Sequence, residues 1–172
     1  MPSEVPSAVT PAVTGDNVQS IAAVGSRMVI GGPFTAVAGV GRDSLAAFDA
    51  VSGALWAGFA PTVDGTVLSV LPGPVADTVY VGGKFTAING TTVRNLALLS
   101  TVNGSLVAGF KVPTINGQVN DLELRGGRLF VAGVFTKVGG VNRGGLATFN
   151  ASTGAADPFL GVMLTERHNN SG

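Results

Sequence analysis

No cysteine occurs among the 172 residues, and His168 is the single histidine. The first absence excludes a disulfide scaffold, thiolate metal sites and a cysteine nucleophile. The second leaves a Ser-His-Asp triad or a multi-histidine metal centre without material. Charge is scarce as well: ten basic and ten acidic side chains make up only 12% of the chain and cancel. Such a surface lacks the cationic excess that grips nucleic acid or an anionic membrane, so no nucleic-acid partner is expected. Long hydrophobic runs are also missing. The longest uncharged stretch, Asn95 to Phe110, is interrupted by Asn95, Ser100, Thr101, Asn103, Gly104 and Ser105. A spanning helix needs about 20 predominantly apolar residues, so no membrane insertion is expected. The opening Met1-Pro2-Ser3-Glu4-Val5-Pro6 has neither the basic nor the apolar region of a signal peptide. No motif asks for a cofactor.

What the chain has in excess is glycine, 26 of 172 residues, within a composition that is 45% hydrophobic. The glycines fall in a repeat. Val29-Ile30-Gly31-Gly32-Pro33-Phe34-Thr35, Tyr80-Val81-Gly82-Gly83-Lys84-Phe85-Thr86 and Phe130-Val131-Ala132-Gly133-Val134-Phe135-Thr136 resemble one another, with their phenylalanines 51 and 50 positions apart. At fixed distances beyond each come Leu45-Ala46, Leu96-Ala97 and Leu146-Ala147, then Gly53, Gly104 and Gly154, and another aromatic closes each unit: Phe59, Phe110 and Phe159. The boundaries read as an N-terminal tail over 1–10, repeats over 11–61, 62–113 and 114–160, and a C-terminal tail over 161–172.

Each unit reads as four short strands. In the second these are Thr66–Val70, Thr78–Val81, Asn95–Leu99 and Leu106–Ala108, separated by Gly-Gly, Asn89-Gly90 and Asn103-Gly104 turns. Short runs of β-formers punctuated this way are hairpin signals, and no long stretch keeps a helical apolar period, so the chain is predicted all-β. Phe34, Phe85 and Phe135 are structural repeat positions expected to fill the space between sheets, each contributing about 1.5–3 kcal/mol by burial. The paired glycines are read as sites of positive φ or of close backbone approach.

The pattern Gly82-Gly83-Lys84-Phe85-Thr86, Gly90, Arg94, Leu96-Ala97 and Gly104, with its counterparts in the other units, resembles the delta-60 repeat family. Those units of about 50 residues are regarded as β-propeller blades, related to kelch-like repeats. The likeness covers roughly Val13 to Leu160. Ala132 departs from it where the other units have glycine, and Pro33 occupies the variable position. The resemblance implies four-stranded blades in a bacterial surface or secreted protein, hence an extracellular or cell-surface location, with no catalytic motif. Propellers typically have 4–8 blades, and three are present here. The expectation is therefore a half propeller, closing a six-bladed ring as a homodimer or continuing in other blades of a longer parent chain. A β-trefoil, also three four-stranded units, and a blade-like solenoid are the rival architectures.

Candidate sites are few. Asp121 and Glu123 lie two apart on the first strand of unit three and share a face. If that strand lines a channel, the pair can bind a hard cation or work on a glycoside; otherwise they are two solvent-facing acids on an edge strand. Arg42, Arg94 and Arg143 recur once per unit before the third strand, as a structural arginine or as a ring for anionic ligands. Trp56 stands where unit two has Val107, as a sugar-stacking platform or as an inter-blade contact. Asp49, Ser100 and Asn150 share one turn position, where Asx-type turns compete with a calcium reading. Four N-glycosylation patterns begin at Asn89, Asn103, Asn150 and Asn169. The loop Pro72–Asp77 is longer than its counterparts and is either a contact loop or tolerated length variation. These features point to a non-catalytic repeat scaffold that presents loops for protein or glycan contacts. A carbohydrate-active or cation-dependent enzyme using Asp121 and Glu123, and a β-trefoil lectin, are the alternatives.

Overall fold

The computed structural model describes residues 9–160. Unit one contains β1 (Val13–Thr14), β2 (Ser20–Val24), β3 (Arg27–Gly31), β4 (Ala36–Val37), β5 (Val40–Gly41) and β6 (Leu45–Asp49). Unit two follows with β7 (Thr66–Pro72), β8 (Thr78–Lys84), β9 (Ala87–Ile88), β10 (Thr91–Thr92) and β11 (Leu96–Ser100). Unit three has β12 (Gln118–Arg125), β13 (Arg128–Val134), β14 (Lys137–Val138), β15 (Val141–Asn142), β16 (Leu146–Asn150) and β17 (Ala156–Asp157), before a 3-10 turn at Pro158–Leu160. The chain is all-β, as its composition and turn signals require.

Each unit forms an antiparallel blade: β2-β3-β6, then β7-β8-β11, then β12-β13-β16-β17. The predicted fourth strand forms only in blade three, as the two-residue β17. In blades one and two it shrinks to single bridges, Phe48↔Leu55 and Leu99↔Leu106. A tight turn explains the loss. Phe59 N donates to Trp56 O and Phe110 N to Val107 O, which pulls the chain off the sheet and drives each phenylalanine under the next blade. A small hairpin between the second and third strands was not foreseen. Its turns place Ala38-Gly39, Asn89-Gly90 and Gly139-Gly140 at positive φ, the type I′ geometry of two-residue hairpin loops.

The blades stack in chain order. One cluster joins Val29, Leu45 and Ala47 of blade one to Val67, Val70, Val79, Val81 and Leu99 of blade two, around Phe59 and Phe85. The next joins Tyr80, Leu96 and Leu98 of blade two to Val119, Leu122, Leu129, Val131 and Phe149 of blade three, around Phe110 and Phe135. Phe34 sits in a third cluster on the far side of blade one. In blade two the apolar alternation therefore serves two neighbours, one per sheet face. A trefoil would draw all three units into one core, whereas no described cluster joins unit one to unit three.

The two glycines of each pair have different jobs, and neither is at positive φ. A Cβ on Gly32, Gly83 or Gly133 would lie 2.1–2.3 Å from the carbonyl oxygen of Asn17, Thr66 or Gln118, just before or at the start of the first strand of its own blade. There β7 bulges between Val67 and Ser69, and β12 between Val119 and Asp121. A Cβ on Gly31 or Gly82 would instead lie 2.5 or 2.7 Å from Cγ1 of Val67 or Val119, each in the following blade. Tyr80 completes the second interface: its buried hydroxyl donates to Ala151 O of blade three, and burial pushes the phenol up to about 12.

Candidate functional site

The carboxylate pair is exposed. Asp121 and Glu123 lie on β12, an edge strand, and Asp121 Oδ1 accepts from Leu122 N at 2.9 Å. Their register partners are Ala132 and Phe130, so both lie on the face of blade three that points away from blade two. In the other blades those positions are Ser20 with Ala22 and Ser69 with Leu71, which face the next blade. The pair thus occupies an outer blade face, next to Arg125.

The three arginines do not share one place. Arg42 N and Arg143 N donate to Thr35 O and Thr136 O, but in unit two Val93 N makes that bond to Thr86 O. Arg94 is displaced by one residue, because only two positions separate it from Leu96 where three separate Arg42 from Leu45 and Arg143 from Leu146. Arg42 and Arg143 each donate to the carbonyl just before them, at 2.8 and 3.0 Å. Arg94 stands exposed instead.

Trp56 is half-buried between blades one and two. The Arg27 guanidinium lies 4.0 Å from its ring centroid, and its Nε1 donates to Val102 O at 3.4 Å. The long loop of unit two contributes Asp77, which meets Arg27 at 2.9 Å. The shared turn position spends its oxygens locally. Asp49 Oδ1 accepts from Ser52 N at 2.7 Å, Ser52 Oγ at 2.9 Å and Val51 N at 3.0 Å, and these bonds hold its carboxyl below the usual range. Asn150 Oδ1 accepts from Ser152 N and Thr153 N. Among the described residues no three His, Cys, Asp or Glu side chains converge on a metal position. His168 and Asn169 lie outside the described residues.

A different feature interrupts the repeat. In blade one the segment after the third strand is clamped by Arg27 stacked on Trp56. In blade three Arg128 clamps it through Asp157 at 2.7 Å, with its guanidinium 4.4 Å over the Phe159 ring. The matching pair in blade two is Thr78 and Val107, and neither half of a clamp is present. Thr78 Oγ1 donates to Val75 O within its own loop. Past the bond from Val107 N to Leu98 O, the segment turns off the sheet as it does in blade one, but with no clamp laid over it.

Here lies an open groove of about 600 Å³ between β11 and residues 106–114. Leu96, Leu98 and Phe110 give it a buried apolar floor, while Thr91, Arg94, Lys111 and Thr114 are exposed at its edges. Its size suits a specific ligand site, for such sites occupy about 300–1,000 Å³. The two cations give it one sign of charge. Neither Lys111 nor the Thr78–Val107 pair stood out in the sequence. The signal was present in the substitution of both clamp positions in one unit only.

No curated protein matches the chain significantly. A family model described as a domain of unknown function (DUF5122) beta-propeller matches residues 77–110 and 127–159. Each match runs from the head of a blade's second strand to the phenylalanine that closes the unit. Together with the three stacked antiparallel blades, this gives the chain a β-propeller-type repeat fold.

Proposed function

We propose that the chain is a non-catalytic binding module of a bacterial surface or secreted protein, and that it holds an acidic, partly apolar protein segment in the blade-two groove. The carrying observation is the groove itself, present where both clamp residues are replaced and edged by Arg94 and Lys111. An extended segment fits a cleft beside a strand; apolar side chains would fill the floor, and carboxylates would meet the two cations. A glycan is the weaker fit. Sugar platforms need exposed aromatic faces, whereas Phe110 is buried and Trp56 is covered by Arg27. The surface or secreted setting rests on the delta-60 likeness. The enzymatic alternative needs Asp121 and Glu123 at a cleft, and they lie outside the groove.

The test is selection from a displayed random-peptide library, in parallel with a glycan array. Selected peptides are expected to pair Asp or Glu with apolar residues. Arg94→Glu combined with Lys111→Glu is expected to weaken their binding about tenfold or more, roughly the worth of two partly exposed ion pairs. Selection of glycans alone, or peptides that ignore the double substitution, would dismiss the reading.

A further inference from the structure

The chain forms the same blade-to-blade contact twice, and among the described residues both halves of that contact recur exposed at the two outer faces. Inside, Val67 and Val119 are fully buried on the glycines of the preceding blade, and Val70 and Leu122 beside them are 5% exposed. Their counterparts in blade one, Val18 and Ile21, are 40% and 56% exposed. On the opposite faces, Leu45 and Leu96 are 0% and 1% exposed, and Phe59 and Phe110 are 0% and 8%. Their counterparts in blade three, Leu146 and Phe159, are 37% and 57% exposed.

We infer that Val18 and Ile21 of one copy dock on the Leu146–Phe159 face of a second copy, head to tail, so that two chains close one six-bladed ring. A second copy is the occupant because each outer face is the complement of the other. Blade one offers the counterparts of Val67 and Val70, blade three the counterparts of the Leu45 and Phe59 face, and the reverse contact follows by symmetry. Head-to-tail contacts close into rings when the rotation per unit allows, and six blades lie within the usual range.

The seam between copies differs from the internal ones in a definite way. Ala132 stands in the socket where Gly31 and Gly82 admit a valine methyl at a distance no Cβ tolerates. Asp121 and Glu123 replace Ser20 with Ala22, and Ser69 with Leu71. Ser20 Oγ accepts from Val70 N at 3.0 Å across the first interface. In the seam Asp121 is placed to accept likewise from Ile21 N of the second copy, but its charge enters the contact. The seam is therefore a weakened copy of the internal interface, and the ring opens on dilution.

Light scattering and sedimentation of the full chain over a wide concentration range test this directly. Twice the chain mass of 17.1 kDa is expected at high concentration, falling to one chain on dilution. Ile21→Asp, at an already exposed position, is expected to shift association at least tenfold towards the monomer with unchanged circular dichroism. Restoring the internal pattern with Ala132→Gly and Glu123→Ala is expected to tighten it at least tenfold. A wild-type chain that stays monomeric, even if the restored variant pairs, makes the outer face a cap and overturns the inference. So do assemblies of more than two copies, or a dimer indifferent to Ile21→Asp. The groove variants Arg94→Glu and Lys111→Glu are expected to leave the mass unchanged, which separates this result from the ligand test.

Discussion

Gly82 shows how one missing side chain can define a contact between blades. Any Cβ there meets Val119 Cγ1 at 2.7 Å, and Val119 is β-branched with little freedom to swing aside. Gly82→Ala is expected to cost about 1–3 kcal/mol, the range for overpacking a tight core. Val119→Ala in the same chain removes the clash, so the two substitutions should couple rather than add. Urea midpoints of the single and double variants give the coupling, and simple additivity would refute the contact. The sequence marked Gly82 and Gly83 as special but could not assign their separate roles. Gly83 answers to its own blade through Thr66 O, whereas Gly82 answers to a residue in the next unit, which only the stacking of blades reveals. The arginines were legible as residues and misleading as a set, because a one-residue shift puts Val93 where Arg42 and Arg143 stand.

The small hairpins show the same division among elements. Asn89-Gly90 announced a turn, yet strands of two residues are too short for any alternation to show in the sequence. The hairpins of units two and three are each fastened by a side chain that precedes the blade, where unit one uses the Thr14 carbonyl. Asp64 accepts from Thr86 Oγ1, Ala87 N and Thr86 N, while Asn116 accepts from Thr136 N and Lys137 N. The Thr86 hydroxyl, then the Ala87 and Thr86 amides, hold the Asp64 carboxyl below its ordinary 3.8. A lowered folded value means that its stabilisation is present above about pH 4 and is lost as pH falls through that lower value. Asp64→Asn reproduces the fastening of unit three without a titrating group. Melting temperatures measured from about pH 5 down to pH 2 should therefore fall less steeply in this variant than in wild type. Parallel curves would mean that the carboxylate does not fasten the hairpin. The clamps lie at this scale too, since Arg27 with Trp56 and Arg128 with Asp157 are pairs that become visible only when strands are laid side by side.

For the whole molecule, the repeat gave the number and order of blades, and the structure supplied the direction in which they stack. Such a stack is close to one-dimensional: each blade is stabilised by its neighbours alone. Blade two is covered on both faces, through Val79, Val81 and Leu99 on one side and Tyr80, Leu96 and Leu98 on the other. Blades one and three have one such neighbour each. Local opening should therefore be rarest in the middle, and amide exchange slowest in β8 and β11. The outer strands also respond to assembly. Closing the ring would give blade three a second neighbour, so exchange in β13 and β16 should slow as protein concentration rises while β8 and β11 change little. Exchange that is uniform across the three blades at low concentration would mean that the chain opens as one cooperative unit. Protection in β13 and β16 that does not respond to concentration would mean that no second copy covers that face.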